Sequence, residues 1–201
     1  MRIVVFDLET RLDPREISPD DESAGWDALK RGEGGISALV IHDLTEGWPY
    51  FYDDHTAHVA ARHLERADVV VGFRSHAFDI PCLEGVVGRC LALREHVDLY
   101  REVARINAER GVVGQKGDFT LDAICRRTLG RGKNDSGAHA PQLAREGRWA
   151  QLFHYCLNDV RLTTDLFLHV CRKGGLVNVG RTFLPVPLPQ WITREVVKDP
   201  S

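Results

Sequence analysis

The 201 residues of this chain suit one well-packed domain, and 43% hydrophobic with 27% charged residues is ordinary for a soluble globular protein. The formal net charge of −3 gives no bulk electrostatic case for nucleic-acid binding, although metal ions at a carboxylate-rich site would offset local acids. Five cysteines without a C-x-x-C pair argue against a disulfide framework and a zinc knuckle, and favour a reduced, cytoplasmic setting. No signal peptide, membrane-spanning segment or membrane partner is predicted, because apolar runs are short and acids follow the first one.

The first quarter of the chain predicts three antiparallel strands. Residues 2–8 form an apolar, β-branched run that is typical of a buried strand. The polar segment 11–34 contains several Pro and Gly residues, which indicates a long loop with one helical turn near Trp26. Segments 36–44 and 48–54, separated by Thr-Glu-Gly, predict a β-hairpin.

The rest of the chain predicts helices that alternate with short strands. Strands are expected at 67–73 and 96–100. Helices are expected at 56–66, from 79 to about 93, from the end of the second of these strands to about 108, at 121–129 and at 149–172. Region 130–140 has the composition of a mobile loop. We therefore predict an α/β fold: a mixed five-stranded sheet of three antiparallel plus parallel strands, flanked by helices.

The domain is predicted to span residues 1–175. Residues 176–201 are predicted to form a C-terminal tail, whose Pro-rich part, 183–201, packs on this domain through Phe183 and Trp191.

Two acids at the end of the first strand are the first candidates for a functional site. Asp7 and Glu9 stand two apart, so in a strand both side chains leave the same face. Neighbouring buried carboxylates repel each other, and a hard divalent cation removes that cost. The alternative is that the strand has ended and both acids are solvated loop residues.

Three further residues extend the candidate site. Asp79 follows the second apolar strand, where open α/β sheets bind ligands, although an acid before Ile-Pro is also a good helix cap. Asp159 shares an apolar helical stripe with Leu162, and buried carboxylates are rare unless they are paired or bind a metal. The alternatives are a partner such as Arg161 or a tilted helix that leaves Asp159 solvated. Tyr155 lies one turn before Asp159, so its phenol is either an orienting group for water or a core tyrosine. Four acids at two strand ends and one helix match the needs of phosphodiester hydrolysis by two metal ions.

Three motifs in order resemble those of the DEDD superfamily of 3′–5′ exonucleases, and are most similar to bacterial ribonuclease-H-like exonuclease domains associated with helicases. They are FDLET (6–10), VVGFRSHAFD (70–79) and YCLND (155–159), and the likeness extends through 98–103, 120–124 and the loop around Lys133. The resemblance implies a ribonuclease-H-like fold and a setting in DNA repair. It also implies two divalent ions, Mg²⁺ or Mn²⁺, held by Asp7, Glu9, Asp79 and Asp159.

The family's general base precedes the third-motif Asp by four residues as Tyr or by five as His, and this chain has both Tyr155 and His154. Tyr155 is favoured because it shares a helical face with Asp159, whereas His154 is the rival because an imidazole is the more usual general base. One departure is Arg74, where the family usually has Asn. The substrate-binding candidates are Thr10, Arg74, His76, Arg127, Arg131 and Lys133. The last three, together with Arg126, Arg145 and Arg148, form either a basic arm that guides the strand or a set of solvated side chains.

The resemblance implies release of 5′-mononucleotides from single-stranded DNA or RNA with a free 3′ end, and a helicase is an expected partner. Two alternatives are a structure-selective endonuclease on the same fold and an inert nucleic-acid-binding or interaction module.

Overall fold

A five-stranded mixed sheet lies at the centre of the computed structural model, which describes residues 1–111, 116–133, 140–180 and 182–198. Its strands are β1 (Ile3–Thr10), β2 (Ile36–Asp43), β3 (Trp48–Tyr52), β4 (Val69–Gly72) and β5 (His96–Asp98). Their spatial order is β3-β2-β1-β4-β5. The β1–β2 and β2–β3 pairs are antiparallel, and the β1–β4 and β4–β5 pairs are parallel. The predicted α/β class and mixed sheet are confirmed.

Helices cover both faces of this sheet. They are α1 (Pro14–Ile17), α2 (Glu22–Lys30), α3 (Ala57–Glu65), α4 (Asp79–Val87), α5 (Leu99–Arg110), α6 (Leu121–Leu129), α7 (Ala140–Arg145), α8 (Trp149–Arg172) and α9 (Gln190–Lys198). A separate antiparallel pair, β6 (Leu176–Val179) and β7 (Thr182–Pro185), precedes α9. Within the described residues, no helix is long and apolar enough to cross a membrane.

Strand β1 is covered on both faces, which explains why its apolar run is continuous. Ile3 and Val5 pack in the core that contains the buried face of α8. Val4, Phe6 and Leu8 point the other way, into a second core formed with α2, α3 and α4. Side chains alternate along a strand, so Asp7 and Glu9 share the α8 face with Ile3 and Val5.

The predicted bounds of α6 and α8 agree with the structure. Thr120 caps α6 as predicted, since its hydroxyl accepts a hydrogen bond from the N–H of Ala123 at 3.2 Å. α8 buries an apolar stripe that includes Leu152, Val160 and Leu166, as its helical periodicity indicated.

The prediction of a long loop at 11–34 is wrong, because α1 and α2 lie there. Two of the polar residues in this segment, Asp13 and Asp21, are helix caps. The Asp13 side chain accepts a hydrogen bond from the N–H of Arg15 at 3.0 Å. Pro14, which follows Asp13, occupies the first turn of α1. The Asp21 side chain accepts the N–H groups of Ser23 and Ala24 in the same way.

Two further predictions need correction. α4 ends at Val87, earlier than predicted, because Gly88 takes a left-handed conformation with φ of 70°. Phe183 is 60% exposed and does not hold the C-terminal segment on the domain, whereas Trp191, which is 46% exposed, lines a surface cavity with Met1 and Glu95. Alternation in β7 turns Leu184 inward in place of Phe183. The residues that join the core are Val177, Val179, Leu184, Val186, Ile192 and Val196. Of the predicted loop at 130–140, residues 134–139 lie outside the described residues.

Candidate metal centre

The two acids of β1 lie inside the strand, so the alternative of a solvated loop is wrong. Asp7 pairs with Val40 of β2, and Glu9 pairs with Ala38. The remaining six residues of β1 are all buried, whereas the side chains of Asp7 and Glu9 are partly exposed. The two carboxylates therefore leave a buried strand toward an open space beside α8.

Helix α8 brings Asp159 to the same space. Asp159 is 6% exposed, and its Oδ2 accepts a hydrogen bond from the Lys133 Nζ at 2.5 Å. Its Oδ1 is buried and has no hydrogen-bond partner among the described residues. One carboxylate oxygen from each of Asp7, Glu9 and Asp159 lies within 4.8 Å of the others.

Asp79 lies beside this group as the first residue of α4. The N-cap position of that helix belongs to Phe78, so Asp79 is not the cap residue. Its buried Oδ1 instead accepts the N–H of Leu8 at 3.1 Å. Asp79 lines the same cavity as Asp7, Glu9 and Asp159, but it is not in the group of oxygens within 4.8 Å.

Burial and mutual repulsion raise the pKa values of these acids. Burial, followed by the charges of the other acids, raises the pKa of Asp7 well above its ordinary value. Burial and then Asp159 raise the pKa of Glu9 to about 8. Burial raises the pKa of Asp79 to about 7. Burial also raises the pKa of Asp159, although Lys133 opposes it. The site is therefore short of positive charge.

This donor set fits a hard divalent cation. Carboxylate oxygens are the ligands that Mg²⁺ and Mn²⁺ prefer. A cation would satisfy the orphaned Oδ1 of Asp159 and offset the repulsion among Asp7, Glu9 and Asp159. The residues present therefore match the predicted metal chemistry, with Asp79 next to them.

Of the two candidate orienting residues, Tyr155 faces the acids and His154 does not. The Tyr155 hydroxyl lies 3.3 Å from the Lys133 Nζ, and the ammonium is 5.1 Å from the ring centroid. Burial and then Glu9 raise the pKa of Tyr155. The His154 side chain is exposed, and its Nδ1 is hydrogen-bonded to the Asn158 amide at 3.2 Å.

Arg74 takes a left-handed conformation with φ of 64°. This region is uncommon for residues other than Gly, and Asn enters it more readily than Arg. The backbone is held by buried Asp98, which accepts the N–H groups of Arg74 and His76 at 2.9 Å each. The Arg74 guanidinium lies 4.2 Å from the Tyr100 ring centroid, which leaves it at the rim of the cavity.

The other substrate-binding candidates lie in varied settings. The Thr10 hydroxyl donates to the Leu12 carbonyl at 2.9 Å, and the His76 side chain is exposed. Arg127 forms an ion pair with Asp118, and Arg131 with Asp165. Arg126, Arg145 and Arg148 pair with Asp122, Glu16 and Glu146. The predicted basic arm is thus largely neutralised locally, and Lys133 is its member that enters the site.

Several residues of the site were not predicted from the sequence. Trp26, Phe73, Phe78 and Lys30 line the cavity, and Asp98 supports the turn before Asp79. Trp26 could have been found from the sequence, because an aromatic residue in the polar segment 11–34 is a candidate for an exposed side chain. The role of Asp98 depends on backbone contacts across 24 residues, for which a single sequence gives no signal.

No protein-family model and no curated protein matches this chain. Among solved structures it is similar to the family B DNA polymerase from the hyperthermophilic archaeon Pyrobaculum calidifontis. The TM-score is 0.58 at 19% identity, and the match covers 87% of this chain but 26% of the polymerase chain. At this identity the likeness concerns the fold, and the architecture is consistent with the predicted ribonuclease-H-like fold.

Proposed function

We propose that this protein is a metal-dependent 3′–5′ exonuclease that releases 5′-mononucleotides from single-stranded nucleic acid. The observation that carries the proposal is the convergence of the Asp7, Glu9 and Asp159 carboxylates, with one Asp159 oxygen left without a partner among the described residues. Such an arrangement is costly for stability unless it serves to bind cations. We further propose that Asp79 completes the ligand set for two ions, Mg²⁺ or Mn²⁺.

When bound, two divalent ions activate water at neutral pH and stabilise the charge on the leaving oxygen. The four acids supply the negative charge that holds them. Hydrolysis of the 3′-terminal phosphodiester adds one water. Its oxygen bonds to the phosphorus, the bond from phosphorus to the 3′-oxygen of the preceding nucleotide breaks, and that oxygen takes a proton. The products are a 5′-mononucleotide and a strand that ends in a 3′-hydroxyl.

Tyr155 is the residue that orients the attacking water in this proposal. Its pKa is raised from an already high value, so the phenol is neutral at physiological pH. A neutral hydroxyl positions water through a hydrogen bond, so it does not act as a strong base. Lys133 and Arg74 supply positive charge for the phosphate backbone beside the acids, despite the net charge of −3.

The structural neighbour supports the proposal at the level of fold. Its description as a DNA polymerase means that a region of this architecture occurs in a protein that acts on DNA. Single-stranded DNA or RNA with a free 3′ end is the proposed substrate. A helicase partner and a place in DNA repair follow from the motif resemblance alone.

The test is degradation of 5′-labelled single-stranded DNA and RNA with Mg²⁺ or Mn²⁺. We expect a ladder that shortens from the 3′ end, is abolished by EDTA, and is absent with Asp7→Asn, which keeps the side-chain volume. Intact strands after incubation with the metal-loaded protein would contradict the proposal and favour an inert binding module. Cutting of a strand whose 3′ end is chemically blocked would instead indicate an endonuclease.

A further inference from the structure

Lys133 brings a cation of the protein itself to the candidate metal centre. Its Nζ lies 2.5 Å from the Asp159 Oδ2 and 3.3 Å from the Tyr155 hydroxyl, and its side chain is 28% exposed. Its charge also opposes the rise in the pKa values of Asp7 and Glu9, so it acts on all three acids of the group. The ammonium therefore lies where a divalent cation would also contact Asp159.

Helix α6 holds the backbone of Lys133 beside this centre. The Asp122 carboxylate accepts the Lys133 N–H at 2.6 Å, and the Arg126 guanidinium donates to the Lys133 carbonyl at 2.8 Å. Asp122 and Arg126 are bonded to each other at 2.8 Å. A Cβ on Gly132 would collide with both side chains, so a larger residue there would push them away from Lys133. We call Asp122 and Arg126 the Lys133 clamp.

The clamp limits where the ammonium can go. Helix α6 packs on α8, which carries Asp159, and the Cys125 thiol donates to the Leu162 carbonyl at 3.7 Å between them. Two cations a few ångströms apart repel each other strongly in a partly buried site. A divalent ion that uses the Asp159 Oδ2 must therefore replace the ammonium. The Asp159 Oδ1, which has no partner among the described residues, gives the ion a first point of contact beside Lys133.

We propose that Lys133 competes with divalent ions for Asp159, leaves this carboxylate when the centre fills with metal, and is held in competition by its clamp. This inference rests on the metal site of the proposed function and concerns its regulation. The exchange makes the occupancy of the centre depend on the metal concentration. It also gives Arg126 a different role from the strand-guiding arm predicted from the sequence.

The first test is chemical labelling of lysine amines in the full-length protein, in EDTA and in Mg²⁺. The chain has five lysines, so mass spectrometry resolves Lys133 from exposed Lys173, which is the internal control. We expect Lys133 to be labelled more slowly than Lys173 in EDTA and at a similar rate in Mg²⁺, because the released ammonium is open to the reagent. A rate for Lys133 that stays low in Mg²⁺ would overturn the proposal.

The second test is calorimetry with Mg²⁺ alone. Lys133→Met, which keeps the length of the side chain and removes its charge, should tighten binding about tenfold. Arg126→Gln should tighten it about threefold, because Lys133 loses half of its clamp. Arg127→Gln is the matched control and should leave binding unchanged, since Arg127 lies on the same helix with the same charge but pairs with Asp118.

Unchanged or weaker binding by Lys133→Met would overturn the competition, because Lys133 would then support the metal. Equal effects of Arg126→Gln and Arg127→Gln would overturn the role of the clamp, because overall charge would explain both. The ladder assay decides the nuclease proposal separately. It measures cleavage by the unaltered chain, whereas both tests of Lys133 are carried out without a strand.

Discussion

A single buried acid, Asp43, and the acidic cluster of Asp7, Glu9 and Asp159 lie toward opposite ends of the β1–β2 pair, and they differ in how their charges are satisfied. At one end, Asp43 is fully buried at the close of β2. It accepts a hydrogen bond from the Arg2 Nε at 2.7 Å and from the N–H groups of Thr45 and Glu46 at 2.9 and 3.1 Å. His63 lies 3.6 Å away and is itself hydrogen-bonded.

The other end holds Asp7, Glu9 and Asp159. Lys133 contacts one oxygen of Asp159, and the second oxygen has no partner among the described residues. The difference teaches that burial of an acid is not by itself a sign of function. The informative sign is a group of buried carboxylates whose hydrogen bonds and counter-charges are incomplete.

The largest expected effect separates the two regions by activity. Asp7→Asn should lower the rate of metal-dependent cleavage by about a thousandfold or more, because a lost ligand removes several kcal/mol of transition-state stabilisation. Asp43→Asn should leave the rate within about twofold. Single-turnover degradation of a labelled strand, at a temperature where both variants are folded, measures this contrast. Equal losses in the two variants would show that both regions serve catalysis.

The same pair of variants should change stability in opposite directions. Asp43→Asn should lower the free energy of unfolding by about 2–3 kcal/mol, because Asp43 is fully buried and the variant removes the charge that pairs with the partly exposed Arg2 guanidinium. In EDTA, Asp7→Asn should raise it by about 1 kcal/mol, because it relieves repulsion at the acidic end. Urea unfolding at pH 8 measures both. A destabilised Asp7→Asn protein would mean that the acids are already neutralised.

Tyr155 and His154 sharpen the assignment within the acidic end. Tyr155→Phe should lower kcat by about 10–100-fold, since the variant removes the hydroxyl that orients water but keeps the ring. His154→Ala is the matched control and should leave kcat unchanged, because the imidazole is exposed and bonded to Asn158. Initial rates at saturating strand concentration give both values. The reverse result would make His154 the base.

The smallest expected effect is a change with pH in the amount by which Asp7→Asn raises the free energy of unfolding. The pKa of Glu9 is about 8 and that of Asp79 about 7 in the folded protein, against about 4 in the unfolded chain. The folded state therefore binds more protons, and wild-type stability contributed by these acids falls as pH rises from about 4 to 8. Asp7→Asn removes part of this repulsion, so its advantage in EDTA should grow across that window.

Thermal unfolding of both proteins in EDTA at several pH values measures the difference. Subtracting the two curves cancels the contribution of His42, His63 and His96, whose pKa values are lowered by burial. We expect the difference in melting temperature to widen by a few degrees, roughly 1 kcal/mol, and to close when Mg²⁺ is added. A constant difference would contradict the raised pKa values.

Elements with a strong local pattern were predictable from the sequence. The continuous apolar run of β1, the hairpin of β2 and β3, and the long stripe of α8 each depend on periodicity within one segment. α1 and α2 were missed because their polar residues, such as Asp13 and Asp21, have two local meanings, loop composition and helix caps. Only the hydrogen bonds in the structure distinguish them.

The site was predictable in its acids and not in their surroundings. Asp7 and Asp43 each occupy an apolar strand, so the local sequence gives no sign that one is satisfied and the other is not. The contacts of Asp43 with Arg2 and of Asp159 with Lys133 join residues 41 and 26 positions apart. Trp26 reaches the cavity through the packing of three helices, which no local pattern encodes.

The crossing of α8 over the central strand has a consequence for synthesis of the protein. The Cys156 thiol donates to the Asp7 carbonyl at 3.3 Å across 149 positions of sequence, so β1 and α8 meet only after most of the chain has been made. At ribosomal rates, roughly 8–30 s separate the appearance of Asp7 from that of Asp159. A nascent chain thus carries an incomplete acid set until α8 has been made, and the candidate metal centre forms together with the contact between β1 and α8.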